Sequence, residues 1–221
     1  MKPFNKYFDH TLLKADATRE QILRICREAA EYDFASVCVN SCHVKMCADA
    51  LASTDVKVAT VVGFPLGAMS TQGKLVETEV ALKDGAKEVD MVINIGCLKE
   101  GDATPIIREI KILADACHHA DAILKVIIET CLLTDEEKKL ACTLVTEAGA
   151  DFIKTSTGFS TGGATAEDVQ LMAKNTGTGE QVKASGGIRT LDDALAMIEA
   201  GADRLGCSAS VGIMKEYAAR G

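Results

Sequence analysis

Three ionisable residues lie inside short apolar segments, where a charge is costly to bury unless it is paired or functional. Asp90 lies in VDMVIN, Lys154 ends FIK, and Lys183 lies in VKASGG. A free lysine has a pKa of about 10.4 and is protonated at neutral pH, so its amine cannot attack a carbonyl. A second cation nearby disfavours protonation and releases the lone pair. The residues therefore predict a nucleophilic lysine beside a second lysine, with Asp90 holding the second one and relaying protons.

Two alternatives remain open from these residues alone. The lysines could be structural, with packed stems and with ammonium groups that reach solvent at strand ends. Lys125, in LKVIIE, is a competing nucleophile, although it precedes the apolar run and is expected deeper in the fold. Glu129 ends that segment and is expected to support the site. Spacing alone does not decide which lysine reacts.

Glycine-rich segments near the carboxyl end of the chain predict a phosphate site. Gly186 and Gly187 follow one apolar run, and Gly206, with Ser208, follows the next. Glycine lets backbone amides approach an anion closely, and a serine hydroxyl or the charge of Arg189 can add to the binding. The alternative is that they are simple loop glycines. Phosphate-site glycines occur in many barrels, so this signal alone does not define a reaction.

The segments that must position these residues alternate between short apolar runs and amphipathic helical stretches. The predicted strands are 8–13, 35–39, 56–62, 88–93, 123–128, 151–154, 181–184 and 204–206. The predicted helices are 17–32, 44–51, 71–84, 105–117, 134–148, 165–174, 191–200 and 210–220. Eight such units favour one α/β domain over residues 1–221, a (β/α)8 TIM barrel, with an open doubly wound sheet as the alternative. Catalytic groups of barrels stand at the carboxyl ends of strands, so lysines on the sixth and seventh strands would be neighbours.

Several predicted helices carry boundary signals. Thr18 with Gln21, and Thr134 with Glu137, match the capping box that begins a helix. The phrases DGAKE and EAGAD (twice) place a glycine where a helix should stop and the next strand begin. These repeats mark successive strand–helix units.

Composition excludes several classes of function. The formal net charge of −8 argues against broad nucleic-acid binding, which needs a basic face. The start of the chain lacks the apolar region of a signal peptide, and no stretch approaches the roughly 18 apolar residues of a membrane span. We therefore expect a cytoplasmic protein with reduced cysteines and no membrane association. No metal or cofactor is expected, because the best cluster fits no C-x2-C pair; it comprises Cys38, Cys42, His43 and Cys47.

Eight segments, taken in order, resemble those of the deoxyribose-phosphate aldolase family nearly end to end. They are DHTLL (9–13), SVCVN (36–40), VGFPLG (62–67), EVDMVIN (88–94), LKVIIET (124–130), FIKTSTG (152–158), VKASGGIR (182–189) and RLG (204–206). The resemblance implies a class I, metal-independent aldolase that interconverts 2-deoxy-D-ribose 5-phosphate with D-glyceraldehyde 3-phosphate and acetaldehyde. By position, it implies that Lys154 forms the Schiff base, Lys183 lowers its pKa and shuttles protons, and Asp90 relays them. The expected substrate- and phosphate-binding residues are Gly158, Gly186, Gly187, Arg189, Gly206 and Ser208.

The resemblance has one departure at the expected phosphate site and leaves other activities open. Ala209 stands where members often carry a second serine, so one hydroxyl contact to phosphate is missing. Members commonly form dimers or tetramers, which implies a homodimer or homotetramer here. The alternatives are a lysine-dependent aldolase for another sugar phosphate, a non-catalytic sugar-phosphate-binding barrel, and an isomerase with a carboxylate base.

Overall fold

The apolar runs pair side by side in chain order and close on themselves. In the computed structural model, which describes residues 2–220, eight parallel strands form a closed barrel. They are β1 (Phe8–Leu12), β2 (Ser36–Val39), β3 (Lys57–Val62), β4 (Glu88–Val92), β5 (Ile123–Ile127), β6 (Phe152–Lys154), β7 (Gln181–Ser185) and β8 (Arg204–Cys207). The ring closes where β8 pairs with β1 and Cys207 lies opposite His10. The predicted (β/α)8 barrel is confirmed, and the open sheet is excluded because β1 and β8 are hydrogen-bonded.

Helices connect successive strands on the outside of the barrel. They are α1 (Arg19–Glu31), α2 (Val44–Leu51), α3 (Thr71–Lys83), α4 (Ile95–Lys99), α5 (Ala103–His119), α6 (Asp135–Ala148), α7 (Ala166–Asn175), α8 (Leu191–Glu199) and α9 (Ser210–Arg220). The eight predicted helices are confirmed to within a few residues at each end. Helix α4 was not predicted; it is one short turn, begun by the Asn94 side chain, which accepts a hydrogen bond from the Cys97 amide.

Local capping explains why the sequence indicated most helix boundaries correctly. Both predicted capping boxes are present, at the starts of α1 and α6. A third, formed by Thr190 and Asp193, begins α8. Helix α6 ends at Gly149, whose φ of +78° is a left-handed conformation that glycine adopts without strain. These contacts satisfy backbone groups that a helix end would otherwise leave unpaired.

The two faces of the strands are chemically different. One face packs against the helices and supplies most of the hydrophobic core, as Val37 and Val39 of β2 and Met91 of β4 do. Residues between these point into the barrel, because successive strand side chains alternate. Barrel interiors are usually filled by bulky apolar side chains. Here apolar groups such as Ala59 and Val61 share the interior with buried charges.

The residues weighed as a metal cluster lie in different environments. Cys38 belongs to the small apolar cluster inside the barrel, whereas Cys47 belongs to the core outside it and Cys42 is exposed. Within residues 2–220, no group of three or more histidine, cysteine or acidic side chains has the geometry to hold a metal ion. No helix in the same range is long and apolar enough to cross a membrane.

The capping box of α6 supports a prediction about stability. Thr134→Ala removes the hydroxyl that accepts a hydrogen bond from the Glu137 amide, and should lower the free energy of unfolding by about 1 kcal/mol. Urea unfolding followed by circular dichroism measures this change. Thr143→Ala, at an exposed position in the same helix, is the matched control and should show no such loss. Equal effects of the two substitutions would contradict the prediction.

Candidate active site

A single carboxylate in the middle of β4 joins three lysines inside the barrel. Asp90 Oδ2 accepts hydrogen bonds from Lys154 Nζ and Lys183 Nζ, each at 2.7 Å. Asp90 Oδ1 accepts one from Lys125 Nζ at 2.8 Å. All four residues are at most 3% exposed. The two lysines that the sequence paired therefore share one oxygen atom.

A second layer of charges lies beneath this contact, toward the amino ends of the strands. Lys183 also donates to Asp9 Oδ2 at 2.5 Å, and Arg204 donates to Asp9 Oδ1 at 2.6 Å. Glu88 lies 2.6 Å from Lys125 and 3.1 Å from Arg204. We call these seven side chains the barrel network: Asp9, Glu88, Asp90, Lys125, Lys154, Lys183 and Arg204.

The barrel network contains one more basic group than acidic groups. Four bases, three lysines and one arginine, face three carboxylates in the barrel interior. An unpaired charge in such a place costs several kcal/mol, and a buried lysine reduces that cost by losing its proton. Lys154 contacts only one carboxylate oxygen, which it shares with Lys183. It is therefore the amine that the network can most easily leave uncharged.

The pKa values of the two lysines shift in opposite directions. Burial is the largest influence on Lys154 and lowers its pKa; the positive charge of Lys183 lowers it further, against the opposing pull of Asp90. Burial alone would also lower the pKa of Lys183, but Asp9 and Asp90 outweigh it and hold that pKa above its ordinary value. The asymmetry follows from contact number, because Lys183 has two carboxylates and Lys154 has one.

The acidic partners remain ionised despite their burial. Burial would raise the pKa of Asp90, but Lys125, Lys154 and Lys183 hold it well below its usual range. The pKa of Asp9 is likewise lowered, because Arg204 and Lys183 outweigh the effect of burial. The network thus keeps Asp9, Asp90 and the ammonium groups of Lys125 and Lys183 charged, while it favours a neutral amine on Lys154.

A cavity of about 430 Å³ opens above the barrel network at the carboxyl ends of the strands. Lys154 is the member of the network that lines it, and Lys183 and Asp90 lie beneath. The six residues predicted to bind substrate or phosphate all line the same cavity: Gly158, Gly186, Gly187, Arg189, Gly206 and Ser208. The structure therefore places every residue of the predicted site in or directly under one cavity.

The structure explains why three positions in the cavity wall are occupied by glycine. Gly186 and Gly187 adopt φ values of +82° and +85°, which L side chains rarely adopt. A Cβ on Gly206 would lie 3.0 Å from Cε of Lys183, so this glycine makes room for the lysine stem. The last relation was not predicted, since the sequence suggested only phosphate binding for Gly206.

Sequence reasoning missed Asp9, Glu88 and Arg204 as parts of the site. Each is a charged residue at or next to the amino end of its strand, whereas catalytic groups were expected toward the carboxyl ends. Lys125 was correctly expected deeper: it pairs with Phe152, whereas Ile127, two residues later, pairs with Lys154. Its ammonium group nevertheless reaches Asp90.

Glu129 anchors the loop that follows Lys154. It has a left-handed backbone conformation, with φ of +56°, and its carboxylate is buried. That carboxylate accepts hydrogen bonds from the Thr157 amide at 3.2 Å and the Thr157 hydroxyl at 2.5 Å. Thr157 lines the cavity between Lys154 and Gly158. Glu129 therefore supports the site, as its position in the sequence suggested.

Glu129→Gln tests this anchoring role. Glutamine meets the same backbone strain but replaces one accepting oxygen with a donating nitrogen, so the free energy of unfolding should fall by about 1–3 kcal/mol. Urea unfolding measures the loss. Glu136→Gln, at an exposed position in α6, changes the charge equally and should alter stability by less than about 0.5 kcal/mol. A loss no larger than the control's would refute the role.

The chain is similar in sequence and structure to known aldolases. A family model described as DeoC/LacD family aldolase matches residues 4–214. A Streptococcus gordonii protein named deoxyribose-phosphate aldolase is 58% identical over 217 residues, which cover 98% of each chain. An Alkaliphilus oremlandii protein of the same name is 59% identical over 211 residues, 96% of this chain and 95% of the relative. The tetrameric deoxyribose phosphate aldolase from Aeropyrum pernix superposes with a TM-score of 0.92 at 33% identity, covering 99% of this chain and 92% of that one.

Proposed function

The chain belongs to the DeoC/LacD family of aldolases, and from this premise we propose how its own residues carry out the reaction. The activity is the reversible cleavage of 2-deoxy-D-ribose 5-phosphate to D-glyceraldehyde 3-phosphate and acetaldehyde. One observation carries the assignment of roles: Lys154, whose pKa burial and Lys183 lower, is the barrel-network amine that lines the cavity. A neutral amine at the floor of a cavity is what imine chemistry requires.

The reaction begins when the neutral amine of Lys154 adds to the C1 aldehyde of the open-chain sugar. The adduct takes up a proton from water and loses a water molecule, which leaves a protonated imine in which C1 is bonded to Nζ. Acetaldehyde has two carbons, so the bond that breaks is C2–C3. Its electron pair moves toward the imine nitrogen and leaves an enamine, while the C3 hydroxyl gives its proton to a water molecule in the cavity and C3 becomes the aldehyde of glyceraldehyde 3-phosphate.

The enamine must then gain a proton at C2 before water releases acetaldehyde and regenerates Lys154. Lys183 and Asp90 are suited to this transfer because one is a charged donor and the other an ionised acceptor, 2.7 Å apart. Both lie beneath the cavity floor, so we propose that a water molecule carries the proton between them and the substrate. Lys183 thus has two roles: its charge keeps Lys154 neutral, and its ammonium group can donate a proton to the enamine.

We propose that the substrate's phosphate binds at the loops after β7 and β8. Gly186 and Gly187 allow backbone amides to approach an anion, and Ser208 adds a hydroxyl. Helix α9 begins at Ser210, directly after this loop, and its amino end favours negative charge. Ala209 has no hydroxyl, so the hydrogen bonds from uncharged donors to the phosphate come from backbone amides and Ser208.

The rival activities fit the cavity less well. An isomerase needs a carboxylate base at the substrate, but the cavity lining, as far as residues 2–220 show it, contains no aspartate or glutamate. A non-catalytic sugar-phosphate-binding barrel would not need an amine held neutral next to a charged one. A lysine-dependent aldolase for another sugar phosphate would keep Lys154 and differ only in the substrates that it cleaves.

We further propose that the protein is a cytoplasmic homodimer or homotetramer. Its nine cysteines are free, which suits a reducing compartment. Val76 and Val80 lie one turn apart on α3 and are 48% and 53% exposed, which gives that helix an apolar strip suited to a second copy. A relative, the Aeropyrum pernix enzyme, is described as tetrameric.

Borohydride trapping tests the role of Lys154. Reduction in the presence of acetaldehyde should convert the imine into a stable ethyl amine, and peptide mass spectrometry should find the added mass on the peptide that contains Lys154. Lys154→Met should lose both the label and the cleavage activity. A label on Lys125 instead, or no label in the unmodified protein, would overturn the assignment.

Lys183→Leu tests how Lys154 is kept neutral. Removing the neighbouring charge also leaves Asp90 to Lys154 and Lys125, so the pKa of Lys154 should rise. Imine formation needs the neutral amine, so its rate rises with pH as Lys154 loses its proton. In Lys183→Leu, this rise should occur at higher pH than in the unmodified protein. Stopped-flow measurement of imine formation across pH gives the profile, with the surface variant Lys45→Leu as control. An unchanged profile would contradict the mechanism.

A further inference from the structure

Within residues 2–220, the ionic side chains that line the cavity are all basic, although the protein as a whole carries a net charge of −8. They are Lys14, Lys154 and Arg189. Lys154 must be neutral to react, so it contributes no charge before the imine forms. The cavity therefore offers two lasting positive charges to an incoming substrate.

Lys14 follows β1, and the closure of the barrel places its loop beside the proposed phosphate site. Strand β1 pairs with β8, with Asp9 opposite Gly206 and His10 opposite Cys207. The loop after β8 thus has the loop after β7 on one side and the loop after β1 on the other. Ser208 lies in the middle loop, Arg189 in the first neighbour, and Lys14 in the second.

Both cations are available to a ligand. Lys14 and Arg189 are exposed, and among residues 2–220 neither has a carboxylate within the 4.0 Å of an ion pair. The backbone that carries Lys14 is held in place, because Asn40 Nδ2 donates a hydrogen bond to the Leu13 carbonyl and the Ala17 amide donates to the Lys14 carbonyl. The Lys14 side chain therefore extends to the cavity from a backbone position that hydrogen bonds hold in place.

A phosphate monoester carries a charge of about −1.5 to −2 at neutral pH, close to the sum of these two cations. We propose that Lys14 is a specificity-determining residue that binds the phosphate group of the substrate opposite Arg189. This inference rests on the proposed function for the identity of the sugar phosphate. It adds a residue on the first strand–helix loop to a site otherwise formed by the loops after β7 and β8.

The test compares Lys14→Met with Lys14→Arg and with a matched control. Lys57→Met removes the same charge from an exposed lysine at the opposite, amino end of the barrel. For each protein, kcat and KM are measured with 2-deoxyribose 5-phosphate and with 2-deoxyribose. Binding of inorganic phosphate is measured separately by isothermal titration calorimetry, which requires no turnover.

Lys14→Met should lower the ratio of kcat/KM for the phosphorylated sugar to that for the unphosphorylated sugar by about tenfold, chiefly through KM. The dissociation constant of inorganic phosphate should rise by a similar factor. Lys14→Arg should stay within about threefold of the unmodified protein because it keeps the charge, and Lys57→Met should match the unmodified protein in both measurements.

An unchanged ratio together with unchanged phosphate binding in Lys14→Met would overturn the inference. So would an equal change in Lys57→Met, which would assign the effect to overall charge. The proposed function is tested independently by turnover of the unmodified protein. If that protein cleaves neither sugar, the function fails, and the phosphate titration of the Lys14 variants still decides whether Lys14 binds the anion.

Discussion

The proposed chemistry depends on two lysines that share one oxygen of Asp90. Each ammonium lies 2.7 Å from that oxygen, but Lys183 has a second carboxylate partner in Asp9 and Lys154 has none. A single carboxylate oxygen cannot fully compensate two buried cations, so one lysine loses its proton more easily. The structure decides which one by contact number. Reactivity is thus a consequence of unequal pairing within a buried set of charges.

The rest of the barrel interior maintains this inequality. Arg204 binds both lower carboxylates, Asp9 and Glu88, and Lys125 binds Glu88, which holds these side chains in position. Gly206 leaves space for the stem of Lys183, so that its ammonium can reach both Asp9 and Asp90. An apolar interior of the usual barrel type would pack well but could not hold a proton donor beside a neutral amine. The charged side chains therefore occupy positions that apolar side chains fill in a usual barrel.

In the proposed mechanism, catalysis and substrate binding belong to two layers of the barrel. The buried network sets the protonation of Lys154, while the loops above it supply glycine amides, a serine hydroxyl and positive side chains to the cavity. Glu129 links the layers, since it follows β5 and binds the loop that carries Thr157.

Strand and helix positions were largely predictable because they depend on local signals. Apolar runs, the capping boxes at Thr18 and Thr134, and the glycine at Gly149 act within a few residues and are visible in the sequence. Helix α4 escaped prediction because five residues are too few to show a helical pattern. The order of the units also predicted that Lys154 and Lys183 would be neighbours, since consecutive strands lie side by side in a barrel.

The sequence by itself determined the barrel and the residues at its carboxyl end. It also showed lysines within apolar strands, where a charge is costly to bury unless it is paired or functional. Only the tertiary structure decided which lysine has a second carboxylate partner, because Asp9 reaches Lys183 from a strand 174 residues away. It also decided that Lys14 stands beside the loop after β8, which depends on closure between the first and last strands. Electrostatic shifts depend on distance in space, and spacing along the chain does not contain that distance.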